Sequence, residues 1–259
     1  MTETHGAGWV DSHCHLFITD RDPQPLMERA VAAGVRWMMV PGVDLETSRA
    51  ARSLAAQHPD RLVWSAGLHP HDADAWRATG ADISALAADA AAVGECGLDY
   101  YRNLAPRDVQ REVFRAHLEL ASALHKPVII HCRDAFSDVY EHLEYAELGE
   151  QAVLHCWTGG TRWTKRFADL GVTFSYAGPV TFETGETVRI GARHAPPAQT
   201  MVETDTPYLT PPPHRQEPNE PAYVPLIGAA LAEVWGLTID DVAAHTTATA
   251  HRIFGGPPP

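Results

Sequence analysis

Pro127-Val128-Ile129-Ile130-His131-Cys132 decides the fold. Its four leading residues are uncharged and apolar, the pattern of a strand buried on both faces, and the run ends on a histidine. The same order recurs along the chain. Val153-Leu154 ends on His155, Trp9-Val10 leads into Asp11-Ser12-His13-Cys14-His15, Ala92-Val93 into Gly94-Glu95-Cys96-Gly97, and Thr200-Met201-Val202 into Glu203-Thr204-Asp205. In all, eight runs read as strands, at residues 9–16, 35–43, 62–69, 92–98, 127–132, 151–157, 172–179 and 200–205. Helical spacing falls between them at 26–33, 47–57, 83–91, 109–124 and 163–170. Strands that are apolar throughout and alternate with helices predict a parallel sheet covered on its outer face. Eight such units predict an α/β fold, a closed (β/α)8 TIM barrel, with residues 1–259 as a single domain and a frayed tail at 255–259. The open doubly wound sheet is the alternative, but neither Gly-x-Gly-x-x-Gly after the first strand nor a P-loop is present.

Composition narrows the function. Twenty basic against 33 acidic residues give a formal charge of −13, which argues against a broad basic surface for nucleic acid while leaving room for a local cationic site. The apolar run at 31–43 is broken by Arg36, so neither a signal peptide nor a membrane span is expected, and a cytoplasmic protein is the default. No obligate protein partner is inferred. The four cysteines have no Cys-x-x-Cys spacing. Each directly follows His13, Glu95, His131 or His155, and neighbouring side chains on a strand face opposite ways. The expectation is therefore four buried, reduced thiols pointing at the helices.

His13 and His15, two residues apart on a strand, face the same way and can reach one ion, with Asp11 on the same face. Glu95 sits between glycines in a turn at a strand end, and its two oxygens can bridge two ions. With His131, His155 and Asp205, these positions gather at the strand C-terminal ends, where barrel active sites assemble. Two divalent ions carry four positive charges against the two negative charges of Glu95 and Asp205. The result is a cationic pocket inside an acidic protein, and hydrolysis of a phosphodiester fits it. The proline-rich segment 207–221 is expected to form a wall or lid at the barrel mouth.

These words, together with Gly67-Leu68-His69-Pro70-His71, Gly94 to Arg102, Lys126 to Ala135, His155-Cys156-Trp157-Thr158-Gly159, Glu203 to Leu209, Asn219-Glu220-Pro221 and Thr246-Thr247, resemble the TatD family of metal-dependent deoxyribonucleases. The resemblance covers nearly the whole chain in order. It implies an amidohydrolase-type barrel and 3′-to-5′ exonuclease activity on DNA, single-stranded or damaged. It also implies a ligand set: His13, His15, Glu95 and Asp205 around one metal, with Glu95 shared to a second metal held by His131 and His155. Asp205 is expected to activate the attacking water. Mg2+ is implied for activity, although four histidines suit Zn2+ or Mn2+ equally.

Arg133 is a candidate phosphate clamp, His69 a candidate hydrogen-bond donor to the substrate phosphate, and Tyr101, Arg102, Tyr208, Arg215 and Asn219 candidates for stacking bases or holding the backbone. Phe17, Gln216 and Thr249 depart from the family pattern, none of them an expected metal ligand, which bears on loop geometry and substrate preference. Two competing readings keep the barrel: a metal-dependent hydrolase of a small phosphoester, lactone or amide, and a noncatalytic DNA-binding scaffold. Glu95 stands where many relatives of the first kind use a lysine, which favours the nuclease.

Overall fold

The structure, a computed structural model, describes residues 8–18 and 21–257; residues 258–259 of the expected frayed tail lie outside the described residues. One sheet holds eight parallel strands in sequence order: β1 (Trp9–Asp11), β2 (Val35–Pro41), β3 (Leu62–Ala66), β4 (Ala92–Asp99), β5 (Val128–Arg133), β6 (Ala152–Leu154), β7 (Thr173–Tyr176) and β8 (Thr200–Val202). The seam between β1 and β8 closes just beyond the strand ends. There Ser12 N donates to Val202 O, Asp205 N to His13 O and His15 N to Thr206 O, so the closing residues are those that carry the site. This confirms the expected (β/α)8 barrel.

Two apolar layers follow from strand alternation. Val10, Met39, Val63, Ala92, Ile129, Val153 and Met201 point inward and form one cluster with Trp37 and with Ala250, Ile253 and Phe254 of the last helix, which plugs the barrel floor. The neighbouring strand residues Met38, Val93, Val128, Ile130, Leu154 and Val202 face outward into the larger layer beneath the helices.

Nine helices are described: α1 (Pro23–Ala32), α2 (Leu45–Gln57), α3 (Trp76–Asp89), α4 (Arg107–Leu124), α5 (Phe136–Ala146), α6 (Thr161–Asp169), α7 (Glu186–Ala192), α8 (Val224–Trp235) and α9 (Ile239–Phe254). The five expected helices are present. α5, α7, α8 and α9 were not anticipated. α9 carried a readable signal, because Thr238 and Asp241 form a capping box. α8 is apolar almost throughout, so it shows no polar face to mark a helical period. Most strands also end earlier than expected at their C-termini, since the backbone leaves the ladder there to turn side chains toward the mouth. Among the described residues no single helix is long and apolar enough to cross a membrane.

The four thiols are unpaired. Cys14 and Cys96 are fully buried and face the outer layer, as expected. Cys132 and Cys156 are only half-buried, which corrects the expectation, because they lie where the barrel opens.

A buried histidine braces the loop that carries His69. His117 on α4 accepts a hydrogen bond at Nε2 from Leu68 N (3.1 Å) and donates from Nδ1 to Val113 O (2.8 Å), so it must be neutral. Burial lowers its pKa to about 4. Above pH 6.5 it is neutral folded or unfolded. As the pH falls from 6.5 toward 4, the unfolded chain binds a proton that the folded chain refuses, and about 3 kcal/mol of stability is lost across that window. His117→Leu removes this pH dependence and strands the Leu68 N–H, at a cost of about 1–3 kcal/mol at neutral pH. The Tm deficit of the variant is expected to shrink between pH 7.5 and pH 5; a deficit that stays constant contradicts this role.

Candidate metal centre

Glu95 lies inside β4, not in a terminal turn as the sequence indicated. Regular alternation from the inward Ala92 would send Glu95 outward, but the β4–β5 register shifts between Val93 and Cys96. This irregularity turns Glu95 into the barrel and Cys96 out of it. Gly94 (φ 114°) and Gly97 (φ 135°) make it feasible: a Cβ on Gly94 would stand 2.5 Å from Ile129 O, and one on Gly97 would stand 2.0 Å from His131 O.

The two oxygens of Glu95 then face two groups of ligand atoms. Oε2 is 3.2 Å from His13 Nε2 and 3.7 Å from His15 Nε2. Oε1 is 3.0 Å from His155 Nε2, 3.4 Å from His131 Nδ1 and 3.4 Å from His69 Nε2. Asp205 Oδ1 completes the first side, 3.9 Å from His13 Nε2 and 3.7 Å from His15 Nε2. Two triples, His13–His15–Asp205 and His69–Glu95–His131, each have ligand atoms within 4.8 Å of one another. All six expected metal residues thus converge. His69, expected as a phosphate contact, sits among the donors of the second triple.

The donor chemistry fits a cation. His13 Nε2 and His15 Nε2 stand 3.1 Å apart, aimed at the same two carboxylates, Glu95 and Asp205. The ionisation states of Glu95, His13 and His15 suit a cation, whereas those of His155 and Asp205 would have to change on binding one. Burial favours an uncharged Glu95, yet the adjacent His155 and His13 hold its carboxyl well below the usual range. Burial likewise opposes charge on His155, but Glu95 and Glu203 raise its pKa well above the ordinary value. Burial and neighbouring histidines lower His13, and they lower His15 to about 3. Burial raises Asp205 well above an ordinary aspartate, although His155 pulls the other way. Asp205 is held at φ 56°, a left-handed conformation that aspartate tolerates better than most side chains.

Two carboxylates that sequence reasoning did not single out, Glu203 and Asp99, support the cluster. Glu203 Oε1 accepts from Cys156 N (2.8 Å) and contacts His155 Nδ1 (3.2 Å), fixing that ring. Asp99 Oδ2 lies 3.1 Å from His131 Nε2 and 2.9 Å from His71 Nε2. Asp11 does not join the His13 face as the spacing indicated. It locks the seam, accepting from Thr204 Oγ1 (2.6 Å), Thr204 N (2.9 Å) and His13 N (3.2 Å), and burial raises its pKa to about 8. The available signal was short-range: Asp99 ends the Glu95 word, and Glu203 stands two residues before Asp205.

The expected substrate residues divide. Tyr208 is 53% exposed with its ring 6.4 Å from that of His15, and Tyr101 is 61% exposed under the Arg133 guanidinium at 4.0 Å. Arg102 is also exposed. Asn219 is wholly buried, its amide donating to Thr204 O and Tyr208 O and its Oδ1 accepting from Glu220 N, so it holds the wall and cannot meet substrate. Arg215 lies 4.0 Å over the Phe182 ring and donates to Thr210 O (2.8 Å), again pinning segment 207–221. With Arg21 donating to Asn219 O and Glu220, that segment is a fixed wall at the mouth.

A protein-family model described as TatD related DNase matches residues 10–255. Among similar proteins, the uncharacterized metal-dependent hydrolase YabD of Bacillus subtilis is 36% identical over 94% of this chain and 98% of its own length. The 3′-5′ ssDNA/RNA exonuclease TatD of Citrobacter rodentium is 38% identical over 92% and 93%. The crystal structure of YJJV, a TatD homolog from Escherichia coli K12, superposes with a TM-score of 0.89 at 26% identity, covering 96% of this chain and 98% of that one. With its barrel and its histidine–carboxylate cluster, the chain belongs to the TatD related DNase family and is a metal-dependent hydrolase.

Proposed function

We propose that the protein hydrolyses phosphodiester bonds of single-stranded or damaged DNA from the 3′ end, with two divalent ions held on either side of Glu95. The observation that carries this reading is the division of the Glu95 carboxylate, with Oε2 toward His13, His15 and Asp205 and Oε1 toward His131 and His155. Relatives named as 3′-5′ ssDNA/RNA exonucleases support the substrate class. A cytoplasmic setting accords with four unpaired thiols.

His13, His15, Asp205 and Glu95 would hold one ion, and Glu95, His131 and His155 the other, with His69 beside the second group. When bound, such a pair polarises a phosphoryl oxygen, acidifies water and steadies the leaving oxygen; Mg2+ is the ion proposed for activity, with Zn2+ or Mn2+ also suited to the donors. Asp205, at the open side of the cluster, takes the proton of the attacking water. Glu203 and Asp99 keep the His155 and His131 rings from turning away. Arg133 meets a phosphate oxygen pair, while Tyr101 and Tyr208, both exposed at the mouth, stack unpaired bases.

The test is hydrolysis of single-stranded DNA and RNA beside a panel of lactones, amides and small phosphoesters, with Mg2+, Mn2+ or Zn2+. DNA cleavage is expected, abolished in His131→Ala while circular dichroism is unchanged. Turnover of the small esters alone, or near-normal DNA cleavage by the variant, contradicts the proposal.

A further inference from the structure

In a chain of charge −13, one helix at the mouth is basic. α6 follows β6 and His155, and it carries Arg162, Lys165 and Arg166 against a single acid, Asp169. Among the described residues none of these three cations has an ion-pair partner, and Arg162 and Lys165 are exposed. On other helices and loops Arg49, Arg52, Arg61, Arg111 and Arg252 each pair with an acid. The chain has two lysines, and the other, Lys126, is engaged by the backbone carbonyls of Ala87, Ala88 and Ala90.

Aromatic rings join this helix to the mouth. Arg133 covers Tyr101 at the rim, and three residues later Phe136 opens α5 and packs 5.9 Å from Trp163 of α6. Arg162 lies 5.4 Å and Arg166 4.9 Å from the centre of that Trp163 ring, and Arg166 also covers Tyr140 at 3.9 Å. The cation–ring stack at Arg166 explains why that residue would be present in a protein with no substrate there, since it ties α5 to α6. It does not explain Arg162 and Lys165, whose charges point to solvent uncompensated. Cations interleaved with rings along a path leading from a phosphodiester-cleaving site match a single-stranded polyanion.

We infer that Arg162 and Lys165, one turn apart on α6 with the Trp163 ring beside Arg162, form a track for the part of a single-stranded nucleic acid that lies beyond the scissile phosphate. The inference rests on the nuclease reading and extends it: the enzyme grips long strands better than short ones, and the grip lies on α6, outside the catalytic cluster. A dinucleotide reaches the metal centre and never touches α6. A longer strand does both.

The test uses Arg162→Glu/Lys165→Glu, with Arg162→Gln/Lys165→Gln as the milder pair should charge reversal disturb the helix. Binding of a fluorescent twelve-nucleotide single strand is read by anisotropy without metal, across salt concentrations. Two lost phosphate contacts lower the log–log salt slope by about 1.4, and affinity for the twelve-mer is expected to fall about tenfold. In the cleavage assay KM for the twelve-mer rises by a similar factor, while kcat/KM for a dinucleotide stays unchanged. Equal twelve-mer affinity and salt slope in parent and variants overturn the track, as does an equal loss on the dinucleotide. Failure of the nuclease reading looks different: the parent cleaves neither substrate with any of the metals, whatever the binding curves show.

Discussion

Glu95→Gln is expected to lower kcat on the order of a thousandfold, about 4 kcal/mol of transition-state stabilisation, with the barrel still folded. Its carboxylate lies against both donor groups, since its Oε2 meets His13 and its Oε1 meets His155. The amide replaces one oxygen with a group that has no lone pair to offer a cation, so one donor group loses its carboxylate whichever way the amide turns. Calorimetric titration is expected to show at most one ion retained where the parent holds two. Near-normal turnover, or undiminished stoichiometry, would show that Glu95 is not shared.

Asp205→Asn tests a different element. General-base assistance contributes typically 100- to 10,000-fold, and kcat is expected to fall within that range with KM little altered, because Asp205 acts on water and not on the bound strand. Its side chain remains 13% exposed at the open face, unlike Glu95 at 3%. The backbone there is anchored independently, with Asp205 N donating to His13 O and Asp205 O accepting from Tyr208 N, so the substitution leaves the seam closed. Steady-state kinetics separate the outcomes: a rise in KM with unchanged kcat assigns Asp205 to substrate binding and refutes the base.

The barrel was legible because its strands are apolar on both faces and each metal-capable side chain sits where such a run ends; His131 after Ile129-Ile130 is the plainest case. Glu95 was legible as a ligand but not in its location, since no alternation rule anticipates the extra residue at Gly94 that turns it inward. Asp11 shows the same limit in reverse. Its spacing put it with His13 and His15, while the chain's departure from β1 sends its carboxylate to Thr204. Asn219 and Arg215 read as substrate contacts from their place in a mouth loop. The structure gives both to backbone carbonyls in and just before that loop, because a segment without ladder hydrogen bonds must find partners for its backbone oxygens. Glu203 and Asp99 act through the rings they hold, which a sequence reveals only once those rings are placed.

The claim beneath all of this is that one carboxylate, Glu95, divides the site into two cation positions. Anomalous diffraction from crystals grown with Mn2+ tests it most directly. The account predicts two peaks on opposite sides of the Glu95 carboxylate, one against His13 and His15 and the other against His131 and His155. A single peak, or peaks that leave Glu95 untouched, would contradict it.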